Sequence, residues 1–93
     1  MAVELLPKVA ESGPGTGVGG HVVIVYNNDR NTFDEVIGVL QRATGCTREE
    51  AEIETWEVHN LGKSVVHHGA LEECDRAAGI IRSIGIEVEV REG

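Results

Sequence analysis

Ninety-three residues with sixteen acids against eight bases carry a formal net charge of −8. Such a field repels phosphate backbones and anionic lipid headgroups, which excludes nucleic acid and membrane surfaces as partners. A chain of this length forms one domain and buries only roughly 60–65% of the surface that its unfolded form exposes. Tyr26, Phe33 and Trp56 are its only aromatic residues. Aliphatic side chains must therefore fill the core, and an aromatic ring near the surface is placed rather than incidental.

Residues 1–12 hold a short apolar cluster (Val3, Leu5, Leu6) followed by Pro7, and residues 13–20 contain five glycines. This composition cannot recover its ordering entropy by burial, so residues 1–20 are expected to form a flexible extension and residues 21–93 the folded domain. Gly15-Thr16-Gly17-Val18-Gly19-Gly20 matches GxGxxG by letter. It follows no strand and opens no helix, so it lacks the helix N-terminus that would hold a pyrophosphate. The N-terminus has no basic flank leading into an apolar run, and the longest apolar run, Val22 to Tyr26, is far short of the ~20 residues of a membrane span. Cys46 and Cys74 lack CxxC spacing, which speaks against a thiol redox motif and fits a reduced, cytoplasmic setting.

His21 to Tyr26 is apolar and β-branched almost throughout, as a central strand buried on both faces would be. A turn-rich loop, Asn27 to Asn31, leads to Thr32-Phe33-Asp34-Glu35, which fits a capping box, and Phe33, Val36, Ile37 and Leu40 then recur at helical spacing. Thr44-Gly45-Cys46 closes that helix. Thr47-Arg48-Glu49-Glu50 repeats the capping pattern, so a second helix folds back as a hairpin, with Ala51, Thr55, Val58 and His59 on one face and Glu50, Glu54 and Glu57 on a solvated one. Gly62 suits the left-handed residue that ends it, and Lys63 to His68 reads as a second strand. Leu71, Cys74, Ala78 and Ile81 mark a third helix that Gly85 terminates, and the alternation Ile86-Glu87-Val88-Glu89-Val90 predicts an edge strand. The order β-α-α-β-α-β gives an α+β fold, a three-stranded sheet with the helices packed on one face.

Two clusters carry candidate chemistry. Asn27-Asn28-Asp29 at a strand end reads most simply as a turn, yet three oxygen-bearing side chains in a row can also converge on one small cation such as an ammonium group. His59 near a helix end is either a packed histidine satisfied by backbone or a neutral nitrogen acceptor at a pocket mouth. His67 and His68 point to opposite faces of a strand and cannot chelate one ion together. Neither cysteine has the paired base that a nucleophile needs.

The strand into Asn27-Asn28-Asp29, Phe33-Asp34-Glu35-Val36 leading to Val39-Leu40-Gln41, Glu49-Glu50-Ala51, and Glu57-Val58-His59 before Gly62-Lys63-Ser64 resemble the ClpS family. These are small non-enzymatic adaptors that deliver proteins with destabilising N-terminal residues to a AAA+ protease. The resemblance covers residues 21–92 and implies that Asn27, Asn28 and His59 hold the free α-amino group of the cargo. Asn28 stands where the family has an aspartate, which Asp29 is placed to offset. Phe33 stands where the family keeps a methionine, and Val36, Ile37, Thr55 and Val58 become the walls of a hydrophobic pocket for a first residue such as Leu, Phe, Tyr or Trp. Glu72 matches an acid that touches the N-domain of the Clp unfoldase, and Ala77 stands where a base is expected. The resemblance further implies a cytoplasmic monomer without cofactor or metal. A divergent docking module with a retuned or lost pocket is the alternative.

Overall fold

The computed structural model describes residues 20–93, so most of the expected flexible extension lies outside the described residues. Strand β1 (His21–Tyr26) is followed by helices α1 (Phe33–Thr44) and α2 (Arg48–Leu61), strand β2 (Lys63–Gly69), helix α3 (Leu71–Arg82) and strand β3 (Val88–Glu92). The sheet order is β2-β1-β3 and both pairings are antiparallel, which puts the most apolar strand in the centre. The chain is α+β, as its element order requires.

Local chemistry explains the helix ends. Thr32 and Thr47 each accept the backbone N–H of Glu35 and Glu50, and each glutamate bonds back to the N–H of its threonine, so both capping boxes form. Gly45 and Gly62 close α1 and α2 in the left-handed region (φ 73° and 94°), where a Cβ would be strained. Helix α3 has no side-chain cap at Ala70 and ends at Ser83.

Val23 and Val25 face the helices and join Val36, Ile37, Val39, Leu40, Val58, Ala78 and Ile81 in one core. Ile24, on the other face, is also buried, beside Val65 and Glu89 of the flanking strands. The β1–β2 register shifts between Val23 and Ile24, and Val66 is the residue without a partner. A bulge there brings both Val66 and His67 toward the helix side: Val66 is buried in the core, and His67 Nε2 lies 3.2 Å from Glu73 Oε2, too far off line for a hydrogen bond. His68 is exposed beside Val22.

Two expectations need correction. Strand β3 is paired over Val88–Glu92 rather than over residues 86–90. Glu54 does not stand on a solvated face. It is partly buried, and its Oε1 has no hydrogen-bond partner among the described residues. Burial pushes its carboxyl up to about 7, with Glu50 and Glu57 adding to the rise. Glu57 in turn accepts the Ser64 hydroxyl at 2.7 Å, which ties α2 to β2.

Candidate functional site

The end of β1, the end of α2 and the turn between α3 and β3 meet around the loop after β1. The Asn27 N–H donates to Gly62 O at 3.0 Å, so the end of β1 is pinned to the residue that closes α2, three positions past His59. The loop is tied on its other side to the turn between α3 and β3. Asn31 Nδ2 donates to Ile84 O at 2.8 Å, and Asn28 Nδ2 donates to Asn31 Oδ1 at 2.7 Å and to Gly85 O at 3.4 Å. Gly85 itself has φ 85°, which presents its carbonyl in the turn.

Asn28 is thus engaged on both sides of its amide. Its Oδ1 accepts from the N–H groups of Arg30 and Asn31 at 3.3 and 3.1 Å, the local bond by which Asn shapes a turn. Asn27 and Asp29 are exposed. Thr32 then starts α1 and places Phe33 in its first turn, beside the last turn of α2, where the Phe33 and His59 ring centroids are 5.0 Å apart and tilted by 39°.

His59 Nδ1 lies 3.1 Å from the Thr55 carbonyl oxygen. A carbonyl only accepts, so this bond assigns the proton of the neutral ring to Nδ1 and leaves Nε2 with a free lone pair. Thr55 is fully buried and its hydroxyl donates to Ala51 O at 2.7 Å. The hydroxyl is thereby occupied within its own helix. Val36, Ile37, Thr55 and Val58 are 0–2% exposed, whereas Phe33 is 39% exposed. Phe33, Val36 and Ile37 share one face of α1, Thr55 and Val58 share one face of α2, and Phe33 alone of the five is exposed.

At the start of α3, Glu72 is exposed and Leu71 beside it is 47% exposed. Ala77 is buried in the core, so that position faces inward; the base on the Glu72 face is Arg76, one turn on and exposed. Asn31 and Gly85 were not marked by sequence reasoning as parts of the site. The i to i+3 spacing of Asn28 and Asn31 was the one available signal. Among the described residues, no group of three His, Cys, Asp or Glu side chains is arranged to hold a metal ion, and no helix is long and apolar enough to cross a membrane.

Residues 19–88 match the family model described as ATP-dependent Clp protease adaptor protein ClpS. The chain belongs to the ClpS family. Among solved structures, this ClpS-family chain superimposes on Agrobacterium tumefaciens ClpS2, solved bound to L-phenylalaninamide, with a TM-score of 0.76 at 14% identity, covering 83% of this chain and all of that one. It is also 33% identical over 60 residues to the human E3 ubiquitin-protein ligase UBR1 and 33% identical over 58 residues to mouse UBR2. Those stretches take in 64% and 62% of this chain but only 3% of either ligase.

Proposed function

We propose that this ClpS-family chain is a non-enzymatic adaptor that binds the free N-terminus of proteins beginning with a bulky hydrophobic residue and delivers them to a Clp AAA+ unfoldase. The observation that carries this reading is His59: its Nδ1 is committed to the Thr55 carbonyl, so Nε2 is presented as an acceptor for an ammonium group. Asn27, held against Gly62, supplies a second acceptor from the β1 end. Asp29 supplies negative charge in place of the aspartate that Asn28 replaces. Asn28 contributes chiefly by fixing the loop, since its amide is already bonded on both sides.

The pocket for the first side chain is walled by Val36, Ile37, Thr55 and Val58. Thr55 turns its methyl group, not its bonded hydroxyl, toward the guest. These walls have no free surface while Phe33 lies over His59, so the guest displaces the Phe33 ring. Burying a Leu or Phe side chain contributes about 1.5–3 kcal/mol and each of three charge-assisted bonds about 1.5–3 kcal/mol, so at most about 12 kcal/mol, less about 4 kcal/mol for association, places the affinity at micromolar or weaker. Glu72 and Arg76 on the exposed face of α3 dock on the unfoldase N-domain. The setting is cytoplasmic, with Cys46 and Cys74 kept as thiols.

The test is fluorescence anisotropy with short peptides beginning with Leu, Phe, Trp or Tyr, each beside its N-acetylated twin. Free-amine peptides should bind, and both acetylation and His59→Ala should abolish binding. Equal binding of the acetylated twins, or no binding at all, would overturn the amine-reading site. The closed pocket walls and the engaged Asn28 amide would then favour the second reading, a family member that docks on an unfoldase without reading N-termini.

A further inference from the structure

Helix α2 carries apolar residues on two opposite sides. Ala51, Thr55 and Val58 face the core and are fully buried, while Ile53 and Trp56, on the far side of the helix, are 61% and 52% exposed. Glu49, Glu52, Ile53 and Trp56 together line a shallow depression of about 430 Å³. Trp56 is the chain's single tryptophan, and neither it nor Ile53 belongs to the core cluster. Helix formation does not call for them either, since Ile and Trp are poorer helix formers than the Glu, Lys or Ala usual at exposed positions. A contiguous exposed pair of large apolar side chains with a polar rim marks an interaction surface.

The rim decides the occupant. Helix α2 holds five glutamates and one arginine, Arg48. Arg48 is itself engaged, with Glu52 at 3.2 Å and Asp34 at 3.9 Å. Among the described residues no cation pairs with Glu49. A second copy of the chain would set Glu49 and Glu52 against their own duplicates, which opposes self-association here. Residues 1–19 hold one lysine against two glutamates and bring no net positive side-chain charge. What complements the rim is a base from another molecule.

We propose that the Ile53–Trp56 face of α2 is a docking surface for a basic amphipathic segment of a partner protein. Its apolar residues cover Ile53 and Trp56, and its lysines or arginines reach Glu49 and Glu52. A helix presenting apolar anchors at one-turn spacing fits a surface of this shape, and a cation can also lie over the indole face. The small area makes the contact weak, transient and sensitive to salt. The inference is independent of the amine-reading role of His59.

Trp56 supplies the readout. The full 93-residue chain is titrated with an N-acetylated, tryptophan-free amphipathic peptide bearing Leu on one face and Lys on the other, and with a twin in which every Lys is Glu. Acetylation keeps the peptide out of the amine-reading site. The Lys peptide should shift the Trp56 emission to the blue in a saturable way, lose most of its affinity as salt rises from about 0.05 to about 0.5 M, and remain bound in the presence of a free-amine Phe peptide. Ile53→Glu should weaken binding about tenfold although it adds negative charge, a loss that non-specific attraction to an acidic protein would not produce. The same variant should bind a free-amine Phe peptide as the parent does, which separates failure of this proposal from failure of the adaptor reading. No emission shift, equal binding of the Glu twin, undiminished binding by Ile53→Glu, or sedimentation showing self-association through this face would each overturn the proposal.

Discussion

Asn28→Asp separates the two things that the side chain at this position can do. In the loop, its Nδ2 donates to Asn31 Oδ1 at 2.7 Å and to Gly85 O at 3.4 Å, and its Oδ1 accepts from two backbone N–H groups. A carboxylate keeps the accepted bonds and strengthens them, loses both donated ones, and faces the Asn31 oxygen with an oxygen of its own. A neutral hydrogen bond contributes about 0.5–1.5 kcal/mol, and the 3.4 Å bond is at the low end. The loss is therefore about 1.5–2 kcal/mol, offset by about 0.5–1 kcal/mol from charge assistance. A net loss of about 1 kcal/mol lowers the Tm of a domain this small by about 4–8 °C. The same carboxylate strengthens amine binding by about a factor of ten if it turns toward the cargo. Thermal melts followed by circular dichroism, run beside anisotropy with a free-amine Phe peptide, read both effects. The expected variant is less stable and binds more tightly. An unchanged Tm would refute the loop network as described. A lower Tm without tighter binding would show that the side chain at position 28 stays in the loop and does not face the amine.

Two further expectations concern stability. The Glu54 carboxyl holds its proton up to about pH 7 in the folded protein, whereas the unfolded chain releases it near the ordinary value of 4.5. The folded state binds more protons between those values, so stability rises as pH falls through that window and Glu54→Gln flattens the rise. Glu35 and Glu89, held below the ordinary value by their hydrogen bonds, act in the opposite direction and only at lower pH. Urea midpoints near pH 5 and pH 8 test this, and a parent midpoint no higher at the lower pH would sink it. Gly79→Ala, within α3, should stabilise by about 1 kcal/mol, because a Cβ there meets nothing within 4 Å and helix propensity alone decides the outcome. A lower urea midpoint would show that helix propensity does not govern that position.

What could be read from the sequence is local. A capping box spans four residues, so Thr32 with Glu35 and Thr47 with Glu50 announce two helix starts, and Gly45 and Gly62 announce their ends. The apolar run Val22 to Tyr26 marks the middle of the sheet because only a central strand buries both faces. What could not be read depends on partners far along the chain. Alternation tells which face Ile86, Val88 and Val90 occupy but not where pairing starts. That is set by β1, whose Val25 pairs with Val88 and whose His21 pairs with Glu92. Glu50, Glu54 and Glu57 look like a solvent stripe on an isolated helix, yet Glu57 bonds Ser64 of β2, and Glu54 loses water on that same side of α2. Asn28 reads as a turn residue, which it is, but its bond to Gly85 crosses 57 residues of sequence.

The candidate site is assembled from ends that the fold must cap in any case. Thr32 caps α1, and the residue it fixes next is Phe33. Gly62 closes α2, and its carbonyl is the group that holds Asn27. Near the end of α2, the Thr55 carbonyl one turn before His59 orients its ring. No side chain of the site therefore depends on a dedicated scaffold. The candidate site comes from helix and strand termini, where backbone groups are already directed and a short polar loop can be held without a large core. A domain with three aromatic residues can in this way hold the His59 ring in one orientation. It also leaves the outer side of α2, with Ile53 and Trp56, free for a second contact. Cargo and a basic partner would then approach one helix at its end and along its flank, and neither would occlude the other.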